Sequence, residues 1–404
     1  MKRTKEEVIK YIADEDVRFI RLAFCDVFGT LKNIAIQPSE IERAFEYGIP
    51  IDASAIAGFG GDIRSDLFLH PDPSTLSFLP WRSENGRVIR MFCSVRYPDG
   101  RVLESDSREI LARAVAAADA AGLKFKFGAK MEFYLFKNDE NGEPTGVPHD
   151  KAGYMDVAPE DRGENVRREI CLTLSQMGIQ PESSHHEEGP GQNEIDFRYA
   201  DPLTAADDAI TFRSVVKAIV AKHGLTADFS PKPIPDEAGS GLHINLTVDH
   251  KDGRDVLPYT IAGLMDKIKD ITVFLNPCES SYARLGVSKA PGYISWSSEN
   301  RSQLIRIPSS AQRDSRAELR SPDPMANPYI AFALIIYAAI YGLENRLPLP
   351  ESSDINLFTA PPKVTSRYKR LPTSLAEAAR LARNSEFVRA YMPASVISAY
   401  CERQ

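Results

Sequence analysis

The chain has 404 residues, 43% hydrophobic and 26% charged, with a formal net charge of −7 at pH 7. That length supports two or three domains around a large core, and the balance is that of an ordinary globular protein. The negative charge excludes a basic footprint for nucleic acid. The five cysteines (Cys25, Cys93, Cys171, Cys278 and Cys401) lie far apart with no metal-ligand spacing, so they read as reduced thiols of a cytoplasmic protein. No apolar stretch of signal-peptide type follows Met1-Lys2-Arg3-Thr4-Lys5. The longest apolar run, Tyr329–Gly342, is too short to cross a bilayer and predicts a buried helix, so no membrane partner is expected.

Lys5–Ile12 predicts a short helix. Arg18–Phe24 and Lys32–Ile36 alternate like strands about the turn Phe28-Gly29-Thr30, which predicts a hairpin. Ser39–Tyr47 is helical in pattern and stops at Gly48. The small-residue stretch from Ile51 to Gly61 reads as a loop, and Arg87–Arg96 as another strand. Together the first hundred or so residues predict a small α+β domain. Ser105–Gly122 predicts a helix capped by Asp106 or Ser107 and ended by Gly122. Lys124–Phe136 is a strand pattern that contains Glu132, and the Gly/Pro/Asp-rich Asn138–Gly153 reads as a loop. Helices are expected at Glu164–Met177, Pro202–His223, Pro258–Leu275 and Pro328–Glu344. Strands are expected at Ala227–Phe229, Leu242–Val248, Tyr293–Ser297, Leu304–Ile307 and Ala317–Arg320. Short helices near Leu375–Arg383, Glu386–Tyr391 and Pro393–Cys401 close the chain.

The most informative stretch runs from Ser184 to Arg198. Gly189, Pro190 and Gly191 are turn formers. After them Ile195 and Phe197 alternate with Glu194, Asp196 and Arg198, as in a strand with one polar face. A hairpin-like bend would bring Glu187 close to Glu194, and two close carboxylates repel unless a proton or a hard cation such as Mg²⁺ or Mn²⁺ lies between them. The plainer alternative is an exposed acidic loop beside an edge strand. Further polar residues at strand positions are Glu132, His243 and Glu318. Arg284, Arg301, Arg306, Arg313, Arg316 and Arg320 crowd the C-terminal part. Carboxylates for a divalent metal beside arginines for phosphate are the equipment of phosphoryl transfer.

These segments resemble type I glutamine synthetase along nearly the whole chain. The matches are His186-Glu187 with Pro190-Gly191-Gln192-Asn193-Glu194, Pro231-Lys232-Pro233 with Gly239-Ser240-Gly241-Leu242-His243, and Asn276-Pro277 with Ser281-Tyr282-Ala283-Arg284-Leu285. They continue in Asn300-Arg301-Ser302 with Ile305-Arg306-Ile307-Pro308, Arg316-Ala317-Glu318-Leu319-Arg320, and Pro322-Asp323-Pro324 with Asn327-Pro328-Tyr329. Ile51-Asp52-Ala53-Ser54-Ala55 is similar to the family's N-terminal latch loop. The resemblance implies an α+β fold, with a β-grasp-like domain over residues 1–102 and a catalytic domain of antiparallel strands and helices over residues 103–404. It implies ATP as substrate, Mg (or Mn) as cofactor, and active sites between subunits of a homo-oligomeric ring, with Asp52 reaching across. The end of the chain at Gln404, without the longer tail of some members, suggests a hexamer rather than a double ring.

Carried over by residue, the resemblance implies metal ligands Glu132, Glu187 and Glu194, with His243 and Glu318 as a second set. Asp52, Arg301 and Arg306 take catalytic roles, and Arg301, Arg306 and Arg316 contact nucleotide and phosphates. Glu132, Gly239, His243, Arg284 and Arg320 contact the substrate. Three positions depart from the pattern. Lys130 replaces a glutamate of the second metal set, Ala238 an asparagine that bonds the amino-acid substrate, and Lys289 a flap glutamate that helps bind ammonium. Each Glu-to-Lys departure shifts the local charge by two units, and one unit pair at 4 Å is worth about 4 kcal/mol at an effective dielectric of 20. The departures imply a carboxylate–amine ligase impaired in ordinary glutamine synthesis. The alternative is a non-catalytic homologue that keeps the assembly for a binding or regulatory role.

Overall fold

The computed structural model describes residues 3–59, 66–82, 86–287, 289–308 and 316–402. Gly60, Gly61, Ser288 and Arg313 therefore lie outside the described residues.

The N-terminal part contains α1 (Lys5–Asp14), β1 (Val17–Cys25), β2 (Leu31–Ile36), α2 (Ile41–Glu46), β3 (Ile49–Ile51), β4 (Leu67–Pro71), β5 (Ser77–Phe78) and β6 (Arg87–Arg96). The strands pair in the order β2-β1-β6-β4-β3, with β5 also on β6, and β1 runs parallel to β6. The hairpin expected about Phe28-Gly29-Thr30 is present, with Cys25 opposite Leu31. The Asp26 carboxylate accepts from the Phe28 and Thr30 amides and so holds the turn.

The larger part opens with α3 (Ser107–Ala120), capped by Asp106, whose carboxylate accepts from the Arg108 and Val95 amides. There follow β7 (Leu123–Asn138), β8 (Pro144–Pro148), α4 (Glu164–Gln176), β9 (Pro181–His186), β10 (Gln192–Phe197), α5 (Pro202–Lys222), β11 (Leu225–Asp228) and β12 (Leu242–His250). Then come α6 (Leu257–Leu275), α7 (Glu279–Arg284), β13 (Trp296–Ser297), β14 (Ile305–Arg306), β15 (Arg316–Leu319) and α8 (Pro328–Glu344). Short helices at Pro362–Thr365, Leu375–Asn384, Glu386–Tyr391 and Ala394–Cys401 end the chain. The sheet order is β13-β14-β15-β12-β7-β10-β9, with β8 and β11 also on β7.

β8 corrects the expected loop over 138–153. Its residues have no apolar alternation, and backbone pairing with the end of β7 makes them a strand. α7 was not foreseen, because six residues are too few to show a helical period.

The apolar run becomes α8, with Asn327 capping Tyr329 N and Pro328 in the first turn. α3, α5 and α6 pack around it. Each large aliphatic side chain buried there contributes about 1.5–3 kcal/mol. A Cβ on Gly263 of α6 would stand 2.1 Å from Ala338 O of α8, so the helices cross at a contact only glycine allows. Asn327 Nδ2 and Tyr400 Oη both donate to Val27 O, which ties the small domain to the large one.

Candidate active site on the polar face of the large sheet

Strand periodicity sorts the large sheet into an apolar and a polar face. Met131, Phe133, Ile195, Phe197 and Ile244 are all buried in the core. On the other face, Glu194 of β10 stands opposite both Glu132 of β7 and His185 of β9. Lys130, two residues before Glu132, stands opposite Asp196 of β10 and His243 of β12. Register alone thus gathers carboxylates, imidazoles and an ammonium into two neighbouring rows.

The tip of the β9–β10 hairpin sets Glu187. Glu187 N donates to Gln192 O, and Gln192 N to Gly189 O. Gly191 has φ +71°, a conformation that favours glycine. The hairpin expected from sequence therefore forms, and it does bring the two carboxylates together. Oxygens of Glu187 and Glu194 and a His185 nitrogen lie within 4.8 Å of one another. So do oxygens of Glu132 and Glu194 and a His243 nitrogen. Glu194 belongs to both groups and is only 2% exposed, which rules out the plainer reading of an exposed acidic loop.

The cavity on this face is lined by Lys130, Glu132, Glu187, Glu194, Ala238, Gly239, His243, Arg284, Lys289, Arg301 and Arg320, among others. A Cβ on Gly239 would stand 2.7 Å from Pro231 O and 2.8 Å from Arg284 Cγ, so glycine is required there. Buried Arg284 donates to Ser321 O at 2.8 Å. Arg320 donates to Glu318 Oε1 at 3.1 Å and to Arg301 O.

The carboxylates are not equally compensated. Glu194 Oε1 is 2.9 Å from Lys130 Nζ and 3.1 Å from His185 Nε2, and these neighbours outweigh burial and hold its pKa low. Glu318 takes Arg320 and, at 3.4 Å, Arg306. Glu132 accepts only from Gly241 N at 2.8 Å and weakly from Gln192. Burial and the Glu194 and Glu187 charges push the Glu132 pKa up, and burial and Glu194 do the same to Glu187. Among the described residues, neither Glu132 nor Glu187 has a lysine or arginine ion-pair partner.

His243 is held neutral by burial and by the surrounding arginines and Lys130. Its buried Nδ1 has no hydrogen-bond partner and lies 3.6 Å from Glu318 Oε1 and 4.0 Å from Glu132 Oε1. Buried carboxylates with unmet charge beside an orphaned imidazole nitrogen are donors that suit a hard divalent cation, and two groups bring such donors together: Glu132, Glu194 and His243, and His185, Glu187 and Glu194. The second expected set fits less well. Lys130 supplies an ammonium where a ligand would stand, and Glu318 is already taken by Arg320 and Arg306.

Other expected residues lie outside this cavity. Asp52 is exposed, with its carboxylate accepting from Ser54 N and Oγ at 2.9 and 2.6 Å. Arg306 and Arg316 do not line the cavity. Arg306 stands opposite Glu318 on the neighbouring strand, and Arg316 bonds Tyr199. Sequence reasoning missed His185, Tyr154 and Glu188. The alternation of β9 places His185 on the face of Glu194, and that signal was available. Glu188 and Tyr154 lie in irregular segments and left none. Lys289, whose partners the sequence did not indicate, pairs with Glu188 and lies 5.0 Å from the centre of the Tyr154 ring.

Comparison with known proteins gives one consistent result. The family model described as glutamine synthetase, catalytic domain, matches residues 104–404, and that for the glutamine synthetase beta-Grasp domain matches residues 16–98. A glutamine synthetase of Clostridium saccharobutylicum is 42% identical over 403 residues, covering 96% of this chain and 91% of the relative. One from Methanosarcina mazei is 42% identical over 413 residues, covering 98% and 92%. A solved GmaS/ADP complex superposes with a TM-score of 0.88 at 26% identity over 100% of this chain and 94% of its own. The cryo-EM structure of Plasmodium falciparum glutamine synthetase, at 21% identity, TM-score 0.86 and 99% and 95% coverage, shares the fold.

Proposed function

Because the chain belongs to the type I glutamine synthetase family, we propose that it is an ATP- and Mg-dependent carboxylate–amine ligase whose own replacements turn it away from free ammonium. The ligase class follows from the family. The remainder rests on the site. The single observation that carries it is the unequal compensation of the carboxylates. Glu132 and Glu187 are left for a metal, and Lys130 closes the second position.

In the reaction proposed, a carboxylate oxygen of glutamate attacks the γ-phosphorus of ATP, the bond to the bridging oxygen breaks, and ADP leaves. The amine nitrogen then attacks the acyl carbon. The carbon–oxygen bond to phosphate breaks, and nitrogen gives its proton to a carboxylate or to water. Glu132, Glu187 and Glu194 would hold Mg (or Mn), which when bound neutralises phosphate charge. His243 and Glu318, neighbours of Lys130, would face the phosphates beside it. The Lys130 ammonium cannot ligate a cation, and it acts on phosphate as a point charge. Arg301, Arg306 and Arg316 would stabilise phosphates, and Arg284 and Arg320 would take the substrate carboxylate against the Gly239 backbone. Ala238 leaves one polar group of glutamate without the partner an asparagine would supply, typically a loss of about 1–3 kcal/mol.

We take residues 1–102 as the β-grasp-like domain and 103–404 as the catalytic domain. We place the active chain in a homo-oligomeric ring, where the exposed Asp52 serves a neighbour's cavity. Purified protein, ATP, Mg²⁺, glutamate and a panel of amines test the proposal through ADP release and product mass. Amine-dependent ADP supports the ligase. Its absence with every amine would instead favour a non-catalytic binding role, which the Lys130–Glu194 pair alone would permit.

A further inference from the structure

Resting on that reading, we infer that Lys289 is a tethered competitor of the acceptor amine: its ammonium fills a cation cradle made by the Tyr154 ring and the Glu188 carboxylate. The Lys289 Nζ–Glu188 pair and the Tyr154 face belong to the same cavity wall as Glu132 and Glu187. An aromatic face with a carboxylate beside it is a general recognition element for an alkylammonium. Lysine is itself a primary alkylammonium, so whatever holds Lys289 can hold another, but not both at once.

The backbone supports this arrangement. Lys289 has φ +64°, which non-glycine residues rarely adopt. Its carbonyl accepts from Arg320 Nη2 at 3.3 Å, and Ala290 N closes the turn on Val287 O at 3.1 Å. The backbone is thus bonded at Lys289 O and Ala290 N, and the side chain lines the cavity beside Glu188 and Tyr154. With it in place the cavity volume is about 60 Å³. The pair is still open to solvent, with side chains 50% and 38% exposed, so an incoming amine can displace the ammonium.

A tethered group competes at an effective concentration of roughly millimolar for a short flexible link. An acceptor must outbid it by contacts that Lys289 also uses. A primary amine with an apolar carbon to lay on Tyr154 does so, and free ammonium has none. Lys289 and Glu188 therefore determine which amines enter, without touching the phosphoryl chemistry.

The test is binding, not turnover. ¹³C-ethylammonium is titrated by NMR into full-length wild type, Lys289→Met and the double variant Glu188→Gln/Lys289→Met, without ATP. The inference predicts at least tenfold tighter binding to Lys289→Met and loss of that gain in the double variant. Equal affinity in wild type and Lys289→Met, or a gain kept in the double variant, would overturn it. Independently, Glu188→Gln should raise acetylation of Lys289 by limiting acetic anhydride severalfold, and an unchanged rate would count against the cradle. A chain that never released ADP would refute the ligase reading and still answer both measurements.

Discussion

Lys130 Nζ lies 2.9 Å from Glu194 Oε1. The β7 register leaves no choice in this: Lys130 must share a face with Glu132 and stand opposite His243 and Asp196. Its pKa, raised by the Glu194 charge despite burial, keeps it an ammonium on the polar face at neutral pH.

One tight divalent ion per chain is the first consequence. Calorimetric titration with Mn²⁺ should give one strong site, weakened at least tenfold in Glu187→Ala. Lys130→Glu should add a second site. Two strong ions in the wild type would show that the ammonium moves aside.

Asp52 bears on assembly. Its carboxylate is exposed and turned onto Ser54, outside its own chain's cavity. If it serves a neighbour, mixed oligomers of Asp52→Asn and Glu187→Ala chains should recover part of the amine-dependent ADP release that each lacks alone. Additive, near-zero rates would place Asp52 outside the reaction.

Asp208 makes stability depend on pH. Burial, then the neighbouring Asp207 charge, pushes its pKa up to about 7, against the pull of Arg90. Below pH ~4 both folded and unfolded chains carry the proton. As pH rises from there, only the folded chain keeps it, so stability falls until pH passes about 7. Asp208→Asn should therefore raise the melting temperature at pH 8 more than at pH 4. An equal effect at both would contradict the assignment.

The α6–α8 crossing predicts a packing effect remote from the site. Gly263→Ala puts a methyl 2.1 Å from Ala338 O and 2.9 Å from Gly342 N. Backbone on both sides cannot yield without parting the helices, so a loss of roughly 1–3 kcal/mol or more is expected. Urea denaturation of the variant measures it, and an unchanged midpoint would mean the helices move apart freely.

Sequence made the regular parts of this architecture legible. The run from Pro328 is buried on every side, and its helix bounds could be read directly from composition and the flanking Asn327-Pro328. The period-two pattern after Gly191 gave both the strand and the polar side of Glu194. The positions of Lys130 and Lys289 were readable as departures, but their partners were not. The bond from Lys130 to Glu194 depends on β7–β10 register, and the Lys289–Glu188 pair joins two irregular segments about a hundred residues apart in sequence. Neither leaves a local pattern. β8 and α7 escaped because backbone pairing and capping, not side-chain periodicity, define them.

This glutamine synthetase-type scaffold is expected, as it stands, to use ammonium poorly. The most direct test is glutamine formation from glutamate, ATP and ammonium, measured by mass spectrometry on the wild type beside the triple variant Lys130→Glu/Ala238→Asn/Lys289→Glu. Little or no glutamine is expected from the wild type and a clear rise from the triple variant. Robust glutamine formation by the unmodified chain would contradict it and leave a plain glutamine synthetase.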